Sequence, residues 1–255
     1  MSLLAAMQSH SERLQALTEI STVDDLGEWL TFYYQQPRPD LLFSALEFMS
    51  EQDLLEAGSV QMPVRAFLAR VFVANPERIA DWQEAVLRAS IPVQAIFAVA
   101  LWESGSAYSE EYLPGFVERG APGSRDYVLG LIADNEHPDL LVDPITGPGQ
   151  LDELWGSFFA TGDAAYVERL ISALQFLGSK PSVLQKLLSK LRMQPVTLRY
   201  ALGRLAAWSL TSNAMQHPRV LEICEAKLSS FSGTHATALE TIIADANAGR
   251  NSWAV

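Results

Sequence analysis

The apolar residues of this chain recur at the spacing of an α-helix, segment after segment. Val64, Phe67, Leu68, Val71 and Phe72 follow i, i+3, i+4, i+7, i+8. Val93, Ile96, Phe97, Ala100 and Leu101 repeat the pattern, as do Leu151, Leu154, Trp155, Phe158 and Phe159. Val183, Leu184, Leu187, Leu188 and Leu191 form a similar stripe. At 3.6 residues per turn this spacing gathers five side chains on one helix face, which must then be buried. No stretch sustains the two-residue alternation, enriched in β-branched residues, of a half-buried strand. The chain is expected to be all-α.

The punctuation agrees. Asn75-Pro76 reads as an N-cap followed by proline in the first helical turn, and Met62-Pro63, Ile91-Pro92, Lys180-Pro181 and His217-Pro218 also put proline at helix starts. Gly162-Asp163 ends one helix and caps the next. Helix starts are expected near positions 3, 23, 40, 63, 76, 92, 110, 124, 150, 163, 181, 195, 218 and 234. Short helices joined by tight turns pack antiparallel. Helices over 76–89 and 92–103 form one expected hairpin, and those over 151–161 and 164–176 another. In the second hairpin Trp155, Phe158 and Phe159 are expected to pack on Val167, Leu170 and Ile171. The helix from Pro92 is apolar nearly all round, so it belongs at the centre. The whole reads as an irregular, solenoid-like array of antiparallel helical hairpins, with about 12–14 helices. Residues 133–150 break the pattern with three prolines and two glycines and read as a long loop. One domain over residues 1–255 is expected, with this loop as a possible internal boundary.

The charge is uneven. Residues 1–165 carry 25 acidic residues against 8 basic ones, whereas residues 166–255 carry 5 against 10, for a net charge of −12. Between 103 and 163 there are 12 acids, opposed only by Arg119 and Arg125. Such a stretch repels nucleic acid and speeds association with a basic protein. The partner-binding candidates are therefore Glu103, Glu110, Glu111, Asp134, Glu136, Asp139 and Asp143. A solvated acidic surface and mutual attraction between the two halves remain alternatives. From 168 to 219 the basic residues dominate, Arg199 among them, but they sit among leucines without interleaved aromatics.

Catalytic motifs are missing from the sequence. There is no HExxH, GxSxG, P-loop or CxxC pattern, and the glycines of TGPGQ (146–150) precede no lysine. The four histidines share no ligand spacing, and Asp134, Glu136, His137 and Asp139 lack the glycine and terminal glutamate of a calcium loop. No enzyme activity, cofactor or metal is expected. The one cysteine, Cys224, cannot form an intrachain disulfide and lies in an apolar pattern, so it reads as a buried thiol. Trp29, Trp82, Trp102, Trp155 and Trp208 sit in apolar stripes and read as core. The N-terminal residues contain no export signal, and the most apolar helix, over 91–102, is far shorter than the roughly 20 residues that span a bilayer. A cytoplasmic protein with no membrane contact is expected.

Two stretches carry a resemblance. Residues 75–105, with Pro76, Trp82 and Ala100-Leu101-Trp102, and residues 151–174, with Leu154-Trp155-Gly156 and Phe158-Phe159-Ala160-Thr161-Gly162-Asp163, resemble small bacterial helical proteins encoded beside secreted toxins. Some of these look like immunity proteins of the type VI secretion system, including guards against nuclease effectors. The resemblance implies an all-helical inhibitor that binds and neutralises a cognate basic toxin in the cytoplasm, without catalysis and without contacting nucleic acid itself. It places no functional residue on this sequence. A helical scaffold or adaptor that binds peptides or partner proteins is the alternative.

Overall fold

A computed structural model describes residues 15–133, 137–179 and 195–254. The expected helix starts near positions 3 and 181, and the stripe over 183–191, lie outside the described residues. Among those described there are twelve α-helices and no strand. The chain is all-α and packs as two compact units. The first runs from Met1 to Asp139 and takes in Gly156–Gly162. The second comprises Leu140–Trp155 and Asp163–Val255. The chain leaves the first unit at Asp139, within the segment read as a long loop.

The first unit holds α1 (Val23–Phe32), α2 (Leu42–Glu51), α3 (Gly58–Ala74), α4 (Ile79–Val86), α5 (Ile91–Glu103), α6 (Ser106–Arg119) and α7 (Pro122–Ala133). The end of α8 (Pro148–Thr161) also belongs to it. Helix α5 is its axis, as the all-round apolar sequence requires. Val93, Ile96, Phe97, Ala98, Val99, Ala100 and Leu101 are all buried, and α2, α3, α4, α6 and α7 pack around them. Aromatic side chains fill the space between helices. Trp29, Tyr33 and Phe67 meet edge to face at centroid separations of 5.1–5.6 Å, and Phe72 lies 4.6 Å from Phe97.

The second unit holds the start of α8, then α9 (Ala164–Ser172), a 3-10 segment (Ala173–Ser179), α10 (Pro195–Gln216), α11 (Pro218–Lys227) and α12 (Gly233–Asn247). Its core is Val167, Leu170, Ile171, Leu174, Leu210, Val220, Cys224, Leu239 and Ile242. Helix α10 lies hard against the 3-10 segment because Gly203 has no side chain: a Cβ there would stand 2.9 Å from the Leu177 backbone nitrogen.

Local chemistry explains the helix boundaries. Asp163 caps α9 by accepting from Ala165 N at 2.9 Å, and Gly162 takes a left-handed φ of 66° that ends α8. The TGPGQ stretch is the start of α8. Gln150 Oε1 accepts from Thr146 N and Gly147 N, while its Nε2 donates to Pro144 O, so this third-turn-position amide closes the helix entrance.

Three expectations are corrected. Helix α3 begins at Gly58, five residues before Pro63, because Val60 N and Gln61 N already bond to Ala57 O; Pro63 lies inside the helix and forgoes one backbone bond. Asn75 does not cap forward. Its Nδ2 donates to Val71 O at 2.8 Å and closes the end of α3. The hairpin over 151–174 is not packed upon itself as expected. Phe158 and Phe159 belong to the first unit, where Phe158 packs 5.1 Å from Tyr34, whereas Val167, Leu170 and Ile171 belong to the core of the second. The tryptophans also divide: Trp29, Trp82 and Trp155 are buried and Trp102 half-buried, but Trp208 is 46% exposed.

Candidate functional site

Helices α5, α6 and α7 of the first unit carry most of the residues that the sequence singles out. Glu110 and Glu111 are exposed on α6, as is Glu118 one heptad beyond Glu111 and hence on nearly the same side of the helix. Asp126 is exposed on α7. Asp139 is exposed where the unit ends, and Asp143 is exposed but belongs to the second unit. Asp134 and Glu136 lie outside the described residues.

Glu103 is placed differently from its neighbours. It is 8% exposed, at the C-terminal end of α5, and its Oε1 accepts from Arg65 Nε at 2.8 Å. Its backbone carbonyl accepts from Arg70 Nη2 at 3.2 Å. A carboxylate on a helix packed on all sides cannot reach water, so it is held by arginines of α3. Glu103 is an interior residue and not part of the exposed acidic surface.

Beside this ion pair the sequence gives no hint of what the fold builds. A groove of about 380 Å³ opens between α3, α5 and α7. Ile96, Val99 and Leu55 form its apolar floor, and Arg65 and Gln61 stand on one wall. Ile91 and Tyr127, 48% and 49% exposed, edge it, and Glu56 supplies a carboxylate in the lining. Partial burial pushes the Tyr127 phenol above its usual range, opposed by Arg65 and reinforced by Glu103. Helix α7 continues the apolar edge. Of its large apolar residues only Val128 is fully buried, while Leu129 and Ile132 are 43% and 41% exposed, three residues apart on one side. Exposed apolar side chains gathered beside a groove mark interaction surfaces.

The other chemical groups near this site are committed to the fold. His137 bonds through Nδ1 to Trp102 O at 2.7 Å. Gln94 is buried and spans two turns, donating to Ala89 O and accepting from Ala121 N. Gln83 donates to Tyr112 O at 2.6 Å. Among the described residues no three His, Cys, Asp or Glu side chains cluster as metal ligands would, and no helix is long and apolar enough to cross a membrane. In the second unit burial pushes the Cys224 thiol up to about 12, with Glu225 adding to the shift, so Cys224 is not a nucleophile in the folded protein.

Comparison with known proteins gives no family model that matches the chain, and no match among curated proteins or solved structures.

Proposed function

We propose that this protein binds, without catalysis, a basic partner protein on its first unit, and that the partner is a basic bacterial toxin of the nuclease type, neutralised by stoichiometric binding. The observation that carries the reading is the concentration of charge. The span of the first unit holds 21 acidic residues against 8 basic ones, while that of the second holds 9 against 10. The acids on α6 and α7 stand in the same unit as the groove and the exposed apolar side of α7. An interface needs both: apolar contacts supply affinity, and a charged surround steers the encounter. A nuclease must attract phosphate, so its working face is basic and suits an acidic inhibitor. The test is protection. The product of the neighbouring gene, expressed alone in bacteria, should arrest growth, and this chain should relieve the arrest and purify with it one to one. A harmless neighbouring product, or an arrest that this chain does not relieve, would overturn the reading.

The groove itself favours a second reading. Its shape and apolar floor suit a short amphipathic helix, the ligand of an adaptor. Weak binding to several unrelated basic peptides, with no single tight partner, would support the adaptor over the inhibitor.

A further inference from the structure

The second unit contains a cavity whose chemistry is opposite to that of the first. It measures about 470 Å³ and lies between the loop before α8, helix α9, the 3-10 segment and the start of α10. Two guanidinium groups line it, those of Arg169 and Arg199, and no carboxylate does. Neither arginine is in an ion pair among the described residues. Arg169 is held in place from behind, with Nη2 donating to the Asp143 backbone carbonyl, while Nη1 reaches Ser172 Oγ only at 3.5 Å. Its Nε is buried and has no acceptor among the described residues. Arg199 is exposed. Two like charges converging on one hollow repel each other, and an unmet buried donor costs about 1–3 kcal/mol. A fold built for stability alone would set a carboxylate between them. Phe176, Leu198 and Leu202 give the same cavity an apolar side, and the exposed Gln175 adds an amide.

The geometry points to a binding site for a small phosphomonoester, its phosphate on Arg169 and Arg199 and its organic body against Phe176, Leu198 and Leu202. A phosphate near neutral pH carries close to two negative charges and offsets both guanidiniums, whereas a carboxylate offsets one. The volume lies within the range of pockets that take a cofactor-sized ligand. The site uses residues of the second unit only, so it stands apart from the docking of a basic partner on the first.

Calorimetric titration of the full chain tests it, with phenyl phosphate, inorganic phosphate and benzoate as probes at matched ionic strength. Phenyl phosphate should bind saturably, one per chain, and about tenfold more tightly than benzoate. Arg199→Gln, a change at an exposed residue, should weaken phenyl phosphate about tenfold and leave the melting temperature without ligand unchanged. Phe176→Ala should weaken phenyl phosphate and spare inorganic phosphate. Benzoate binding as tightly as phenyl phosphate, binding indifferent to Arg199→Gln, or no saturation by about 10 mM would each overturn the proposal.

Discussion

Gly156→Ala should destabilise the protein, although it places a better helix former in the interior of a helix. Gly156 lies in α8 where that helix joins the first unit. A Cβ there would stand 2.1 Å from the carbonyl oxygen of Pro63 and 2.9 Å from its carbonyl carbon. Carbon and oxygen in contact keep about 3.3 Å apart, so one backbone must retreat by about 1.2 Å. Neither can do so by rotating a side chain, because both sides of the contact are helix backbone. Overpacking of this kind costs about 1–3 kcal/mol, and the rigidity of the contact puts it at the upper end. The gain in helix propensity is about 1 kcal/mol, leaving a net loss of about 2 kcal/mol. At about 2–4 °C per kcal/mol, the melting temperature followed by circular dichroism should fall by about 4–8 °C. Gly27→Ala is the control. It lies in α1 with nothing within 4 Å of its would-be Cβ, and should raise the melting temperature by about 2 °C. A Gly156→Ala variant melting at or above the wild type, or a Gly27→Ala variant falling as far, would refute the close-packing argument.

Glu103→Lys sets a cation against Arg65 inside the fold and should cost about 3–5 kcal/mol, whereas Glu110→Lys on the exposed side of α6 should change stability by about 0.5 kcal/mol or less; urea unfolding compares the two directly. Asp245 accepts from Ser252 N at 3.0 Å and Arg250 Nε at 2.8 Å, and bonds to Ser252, aided by Arg250, hold its carboxyl below the usual range. Because that pKa is depressed in the folded state, its contribution is present above about pH 4 and is lost as the pH falls further. Asp245→Asn should cost about 1.5 kcal/mol at neutral pH and flatten the acid limb of the stability profile; an unchanged limb would contradict this. Cys224, buried with its thiol pushed up to about 12, should resist thiol reagents at pH 8 until the chain unfolds, so rapid stoichiometric labelling of the native protein would show the burial to be wrong.

What the sequence reveals of this fold is what short-range chemistry decides. The central place of α5 follows from apolar residues on every side of it, and the break at Gly162-Asp163 from a left-handed glycine and a capping carboxylate. Asn75 and Pro63 mislead because a dipeptide signal does not say which way an amide side chain turns, or how far upstream a helix has already begun. Phe158 and Phe159 keep their helical stripe, but periodicity names a buried face without naming what covers it, and here it is the first unit that does so. The candidate site is less legible still. Glu103 looks like its exposed acidic neighbours until Arg65, distant in sequence, is brought against it, and the groove exists only where α3, α5 and α7 meet. Placing Glu103 at the end of a helix buried all round was the one available clue.

The central claim is that the acidic first unit captures a basic protein, and the association rate tests it most directly. Stopped-flow mixing with the neighbouring gene's product should give a rate constant that falls steeply with added salt, because the encounter is steered by exposed charge. Glu110→Lys/Glu111→Lys/Glu118→Lys, all exposed on α6, should associate about tenfold more slowly at low salt, show a much flatter salt dependence, and keep the wild-type melting temperature. A folded triple variant with the wild-type rate and the wild-type salt dependence would contradict the account.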